Sequence, residues 1–412
     1  MPVALFEDHH WKNLSPLTLT RTTFDVKLGA RTIFEEYEHT GRRPDFLLSR
    51  KHLEKITKER HGCEVNPSSH DGDTIFINGL VHPSALDIAR LEKVSHTFAI
   101  TSGNRLVVAR LSKKNVEYLA KCVRAGAQVN IKKMQVEKAT DARAADGMPA
   151  DLWDIIKVLE NSLALQTASD RSSDPPGARV TGAAGVVAAG AEVEEGAVLD
   201  ARNGGIYIGP GAQVAPCRIT GPAYIGAGAQ VRQFSTIESS YIGASCKVTG
   251  EIAHSIISDY TNKAHAGFVG HSYVGEWVNL GAMTTTSDLK MTYGKVKVAG
   301  TDTGLDNVGV FIADMAKTSI GTLVYSGTKI GVSAHLHGLV TKDVPSFSIW
   351  GAGIGAKSAE LELSSAIETQ KKMMSRRGQA MSKAYEKMIK NVFLMTAADR
   401  KKAGVRKAKF SV

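Results

Sequence analysis

From residue 206 onward the chain sets isolated aliphatic residues six apart, the first of each pair followed by glycine: Ile208-GPGAQ-Val214, Ile225-GAGAQ-Val231, Ile242-GASCK-Val248 and Val274-GEWVN-Leu280. The first three of these units start 17 residues apart. An ordinary half-buried strand would show inward residues at period two. One aliphatic per six residues, grouped into coils of about 17 to 18, instead fits a triangular solenoid with three short strands per turn and small residues at the corners. The pattern predicts a left-handed parallel β-helix (hexapeptide repeat). It resumes at Ile320-Gly, Ile330-GVSAH-Leu336 and VTKDVPSFSIWG. The interruption, TTTSDLKMTYGKVKVAGTDTG, lacks the repeat and predicts a loop projecting from one coil, a common place for function.

The N-terminal part has a different rhythm. Short apolar runs (PVALF, PDFLLS, DTIFING, HTFAI, RLVVARL) alternate with helical or polar spans, which predicts an α/β domain. DLWDIIKVLENSLAL follows as a helix, and LQTASDRSSDPPGA has no periodicity and reads as a linker. The expected organisation is an α/β domain over 1–165, a linker over 166–180, the β-helix over 181–355 and a basic helical extension over 356–412. In that extension Ile367, Met374, Met381, Met388 and Met395 recur every seven residues, with Tyr385 and Val392 alongside, which predicts an amphipathic helix.

Composition narrows the function. Thirty-nine glycines with 6% aromatic residues suit short strands and many turns. The net charge of +10 comes mostly from the tail, where residues 356–412 carry fourteen Lys and Arg against five Asp and Glu. The remainder is nearly neutral, so neither nucleic acid nor membrane is an expected partner. Cys63, Cys122, Cys217 and Cys246 form no CxxC pair, which fits reduced thiols and not a zinc ribbon. The start MPVALFEDHH carries acids where a secretion signal needs basic residues, and no apolar stretch approaches membrane-spanning length. A soluble cytoplasmic protein is expected.

The stretch NKAHAGFVGHSYVGEWVNLGAMTTT resembles the acetyltransferase domain of the bifunctional glucosamine-1-phosphate N-acetyltransferase/N-acetylglucosamine-1-phosphate uridyltransferases, in their archaeal and alternative bacterial form. FEDHHWKNLSPLTLTRTTFDVKLGARTI resembles the nucleotidyltransferase-like domain of that group, so the likeness covers nearly the whole chain. It implies acetyl-CoA as co-substrate, an amino sugar phosphate as acceptor, UTP or dTTP for the first domain with Mg2+ where that domain is active, and a homotrimer. The family pattern K-x-x-H-L-x-Y-L-G-x-x-x-[IV]-x-x-x-V-N-[IL]-G-A-G-T carries the catalytic histidine as its H. That role falls on His265, with Phe268 at the tyrosine position and Asn279 at the sugar-contacting asparagine. Phe268 lacks the hydroxyl, Met283 replaces a glycine, and Asp288 stands where better-known bacterial enzymes have asparagine.

The chemistry asked of these residues is consistent. An amino sugar is partly ammonium at neutral pH, and histidine, with an unperturbed pKa near 6.5, is suited to remove that proton as nitrogen attacks a thioester. A backbone N–H beside a glycine turn, at Ala282, can hold the oxyanion. Arg232, with Lys263 second, is the expected phosphate ligand; His271 could orient substrate, but a supporting or packing role is the stronger expectation. In the first domain EDHHWKNLSPLT keeps a family "PLT" but none of the glycines that let backbone amides approach phosphates, and TIFINGLVHPS offers Asn78 where a magnesium-binding Asp is usual. Asp8, Arg21, Asp25 and Lys27 are the remaining candidates there. Two other readings stay open: a non-catalytic sugar-nucleotide-binding scaffold or sensor, and a γ-type carbonic anhydrase, which would need three convergent imidazoles.

Overall fold

In the computed structural model the chain groups into two compact units, Met1–Leu152 with Lys383–Met388, and Trp153–Ser382 with Ile389–Val412. The structure describes residues 1–67, 73–134, 136–141, 148–168, 174–188 and 190–411; part of the expected linker, 169–173, lies outside the described residues.

The first unit is a seven-stranded sheet of β1 (Val3–Phe6), β2 (Phe46–Leu48), β3 (Glu64–Val65), β4 (Thr74–Asn78), β5 (Phe98–Ser102), β6 (Arg105–Leu111) and β7 (Lys138–Asp141), in the order β3-β2-β1-β4-β6-β5-β7. β1, β2, β3 and β4 run parallel, and β6 is antiparallel to its neighbours. The runs VALF, FLL and TIFIN are buried almost throughout and mostly apolar, as strands covered on both faces are. Helix α1 (Ile33–His39) starts at a capping box between Thr32 and Glu35, and α2 (Glu54–His61) ends at left-handed Gly62. Strand order reverses at β1, so the C-terminal ends of β1 and β4 border the crevice where such sheets bind ligands.

The second unit is the left-handed β-helix, with three faces of parallel strands. Its first face contains Gln213–Val214, Gln230–Val231, Lys247–Val248 and Asn262–Lys263; its second Arg218–Thr220, Thr236–Glu238, Glu251–Ala253 and Phe268–Gly270; its third Ala223–Ile225, Tyr241–Ile242, Ile256–Ile257 and Tyr273–Val274. One aliphatic per strand points inward, and Val214, Ile219, Ile225, Val231, Ile237 and Ile242 are all at most 2% exposed. Coils are not uniform. Register steps are 17 residues from Gln230 to Lys247 but 15 from Lys247 to Asn262. From Tyr273 to Phe311 the step is 38, because the projecting loop folds as the hairpin Lys297–Val298 with Thr301–Asp302.

Two elements depart from expectation. The helix Leu152–Thr167 groups almost wholly with the β-helix unit, and its end is fitted closely to the coil: a Cβ on Gly205 would lie 2.4 Å from the Thr167 carbonyl oxygen. The heptad pattern of the tail is not one helix but three, Leu363–Ser375, Lys383–Met395 and Ala397–Lys402. Gly378, with φ of 66°, follows the first and ends the helical path. Ile367, Met374 and Met388 are buried, whereas Met395 is 45% exposed.

Candidate functional site

Each turn of the solenoid places one residue just after the inward residue of the first face: Glu194, Ala215, Arg232, Thr249 and Ala264. Backbone bonds from Glu194 to Val214, Ala215 to Val231, Arg232 to Val248 and Thr249 to Lys263 stack these residues along the axis. Four steps of strand spacing make a column about 19 Å long. It forms the floor of an open groove of about 560 Å³, lined also by Gln213, Gln230, Gln233, His265 and Ala266. Gln230 Nε2 donates to Gln213 Oε1 at 3.2 Å, and Gln213 Nε2 to Glu192 Oε2 at 3.2 Å, so one wall is an amide ladder.

The groove brings together two of the residues singled out in the sequence. Arg232 Nη1 donates to the Ala264 carbonyl at 3.1 Å, and Thr249 Oγ1 donates to the same oxygen at 3.1 Å. The peptide just before His265 is thereby fixed, while the exposed imidazole makes no hydrogen bond of its own among the described residues. Thr249 was not legible as a site residue, although it follows an inward valine just as Arg232 does. Ala282 lies one coil on from Ala266, since Met283 N–H donates to the Ala266 carbonyl at 3.0 Å. Its own N–H has no acceptor among the described residues.

Lys263 is elsewhere. It fills an inward position in register with Val248, is 2% exposed, and points its ammonium at three carbonyls: Thr249 at 2.6 Å, Gly267 at 2.7 Å and His265 at 3.3 Å. Burial pushes its pKa down to about 8, opposed by the charge of Glu251. A lysine so enclosed is not a surface phosphate ligand; it ties the corner that carries His265. Asn279 continues the outward row of the first face, bridging Asn262 and Lys317, and its Oδ1 accepts from Asn262 Nδ2 at 2.8 Å.

Phe268 and Asp288 sit away from the groove, beside the corner between the second and third faces. A Cβ on Gly270 would meet the Phe268 ring and the Asp288 carboxylate, which pack over it. Asp288 Oδ2 is 2.7 Å from His271 Nδ1, and the His271 ring stacks on His254 with centroids 4.8 Å apart. Both histidines adopt left-handed backbone, with φ of 45° and 48°. Asp288 thus pairs with His271 and does not line the groove.

In the first unit Asp8 and Asn78 meet directly: Asn78 Nδ2 donates to Asp8 Oδ2 at 2.8 Å, 70 residues apart in sequence. Asp8 also accepts from Arg105 Nε at 2.9 Å and from the His10 N–H at 2.9 Å. Burial alone would raise its carboxyl, but hydrogen bonding from His10 and the charges of Arg105 and His10 hold it well below the usual carboxylate range. Arg21 is buried and its carbonyl accepts from Arg50. Asp25 is taken up by His61 at 2.7 Å and Arg60 at 3.2 Å, and Lys27 by Glu35 at 2.7 Å. Magnesium does not fit this donor set, because Asp8, its one carboxylate at the Asn78 position, already holds a guanidinium and an amide. No cluster of three or more His, Cys, Asp or Glu disposed to hold a metal ion occurs among the described residues.

The α/β crevice and the β-helical groove belong to two parts of the chain, and the first part is similar to a described family. Residues 3–166 match the family model described as sugar nucleotidyl transferase. A bifunctional sugar-1-phosphate nucleotidylyltransferase/acetyltransferase of Sulfurisphaera tokodaii is 31% identical over 100 residues, 23% of this chain and 25% of that protein. The bifunctional protein GlmU of Methanocaldococcus jannaschii is 32% identical over 103 residues, 24% of this chain and 25% of that protein. The chain thus spans about a quarter of the length of the curated relatives it matches. Among solved structures, a UDP-N-acetylglucosamine acyltransferase of Francisella novicida is similar at 16% identity and a TM-score of 0.30, over 56% of this chain and 78% of that one.

Proposed function

We propose that the chain is an acetyl-CoA-dependent N-acetyltransferase whose acceptor is an amino sugar phosphate, glucosamine 1-phosphate in the first instance. The observation that carries this reading is the shared groove of His265 and Arg232. The amine nitrogen attacks the acetyl carbonyl while His265 takes its proton; the C–S bond then breaks and the thiol of coenzyme A leaves protonated. Arg232, with most of its guanidinium unpaired among the described residues, takes the sugar phosphate. The Ala282 N–H takes the oxyanion. A groove of this length suits an extended thioester arm with the sugar at one end.

The matched nucleotidyl transferase domain and the bifunctional relatives support a product that feeds nucleotide-sugar formation, N-acetylglucosamine 1-phosphate as a precursor of UDP-N-acetylglucosamine. The groove is open on one side, which supports a homotrimer in which a neighbouring copy closes it. No helix among the described residues is long and apolar enough to cross a membrane, in keeping with a cytoplasmic enzyme. The test is thiol release from acetyl-CoA with glucosamine 1-phosphate. His265→Ala should lose roughly 10²- to 10⁴-fold in rate, because only general-base help is removed. The side chain is exposed, so the fold should be unaffected. A variant within threefold of wild type, or no thiol release by wild type with any amino sugar phosphate, overturns the reading.

A further inference from the structure

The β-helix leaves one flat side bare. On its third face the outward residues Ile256, Tyr273 and Phe311 are fully buried, so the chain itself covers that side. On its second face Arg179, Arg218, Thr236 and Glu251 lie in one outward row, in register from strand to strand, and all four are exposed. Leu323 and Leu339 stand outward of buried Val324 and Val340 in the last coils, and are 47% and 40% exposed. Contiguous apolar residues left open on a sheet face mark a contact surface.

The character of that face changes along the axis, and the corner beside it changes in step. In the first coils the face carries Arg179 and Arg218, with exposed Arg202 at the far corner. Asp200, between them, is 3% exposed and accepts from Arg202 at 2.6 Å and Arg218 at 2.5 Å, so the excess is positive. At the same height Glu194 and Glu195 occupy the corner between the first and second faces, and Glu192 the first face. All three are exposed, and none is in an ion pair among the described residues. Toward the middle the signs exchange together, with Glu238 and Glu251 on the second face and Lys247 on the first. In the last coils both surfaces are apolar: Met283 and Ile320, 59% and 78% exposed, lie at the corner that leads to Leu323.

We propose that the second face of one copy packs against the corner and first face of the next copy, coil on like coil, in a closed ring of three. Rotation about an axis parallel to the solenoid keeps every coil at its own height, so arginines meet glutamates, Glu251 meets Lys247, and apolar meets apolar. A two-fold contact would set each surface on itself, arginine on arginine. The faces of a triangular solenoid are turned about 120° from one another, the rotation that closes three copies. The inference rests on the homotrimer of the proposed reading and names its surfaces. It also completes the groove, because Glu194 lines it and the neighbour's arginines enter at that end.

The test is the mass of the full-length protein by light scattering over a dilution series, without substrates. Wild type should be a trimer. Arg179→Glu and Glu195→Arg, both at exposed positions, should each raise the concentration of half-dissociation at least about tenfold, because like charges then face one another. Both changes in one chain restore the attraction and should bring that concentration back to within about threefold of wild type. Leu323→Glu should dissociate the ring whatever the charges elsewhere. A monomeric wild type, single reversals that associate as wild type does, a double reversal no better than the singles, or a Leu323→Glu that stays trimeric would overturn the proposal. Thiol release with glucosamine 1-phosphate is measured apart from mass, so loss of the ring and loss of acetyl transfer are told apart.

Discussion

Replacing Lys263 with methionine separates the catalytic use of the coil from its stability. Methionine keeps most of the aliphatic volume but removes the ammonium from the Thr249, His265 and Gly267 carbonyls. The Gly267 oxygen still accepts from the Glu251 N–H at 3.2 Å, whereas those of Thr249 and His265 have no other donor among the described residues. Two orphaned carbonyls cost roughly 2–6 kcal/mol in total. Against this, a lysine whose pKa burial has lowered from 10.5 to about 8 carries a penalty on its charged form. At 1.36 kcal/mol per pKa unit the substitution returns about 3 kcal/mol of it. The two nearly offset, so the melting temperature should fall by less than about 10 °C. Turnover should respond differently. With the His265 carbonyl untethered, a shift of the imidazole by a fraction of an ångström to an ångström should lower kcat by about 10- to 100-fold. The KM for the sugar phosphate should change little, because Lys263 does not face the groove. Thiol-release kinetics and calorimetry on the same preparation make the comparison. A variant with wild-type kcat, or one whose defect is confined to sugar-phosphate KM, would refute the tether.

Three further outcomes are expected. Arg232→Gln keeps a donor for the Ala264 carbonyl but removes the charge, so sugar-phosphate KM should rise about tenfold or more with kcat affected less; an unchanged KM would remove Arg232 from the phosphate site. His335 is held down to about 4 by burial, with Lys317 and His337 adding repulsion. Its unfolded form therefore binds the proton first, and stability is lost as pH falls from about 6.5 toward 4, by up to about 1.4 kcal/mol per pH unit. His335→Gln should flatten that part of the melting-temperature profile, and an unaltered slope would contradict the assignment. Light scattering should return a trimer, and a fully active stable monomer would show that one copy's groove suffices.

The solenoid was legible because its core demands one inward aliphatic per short strand, a local rule that every coil must obey. Where function or geometry broke the rule, the sequence misled. Lys263 occupies an inward position but reads as polar and so as a surface ligand; three converging carbonyls make a buried ammonium tolerable there. Asn279 matched a substrate-contacting motif position, yet its amide completes a ladder with Asn262. The heptad of Ile367, Met374 and Met388 identified apolar positions that are indeed buried, but periodicity says nothing of Gly378, whose left-handed backbone divides the segment. The contact of Asp8 with Asn78 and Arg105 joins residues 70 and 97 apart, and no local pattern encodes it.

The two histidine-bearing corners differ in the reaction they can support. His271 is held by Asp288 at 2.7 Å, the pairing that keeps an imidazole in one tautomer and stabilises the imidazolium formed when a weakly acidic hydroxyl gives up its proton. Among the described residues His265 has no carboxylate partner, and its backbone is held through Arg232, Thr249 and Lys263. An ammonium needs no such pairing, since its own acidity lies within reach of a free imidazole and the neutral amine is a good nucleophile once formed. Arg232 and the 560 Å³ groove lie with the unpaired histidine, so binding and base coincide only where the chemistry suits nitrogen. On the proposed reading the position of Asp288 bears on the acceptor atom: Asp288 pairs with the histidine away from the groove, and the groove's own histidine suits an amine.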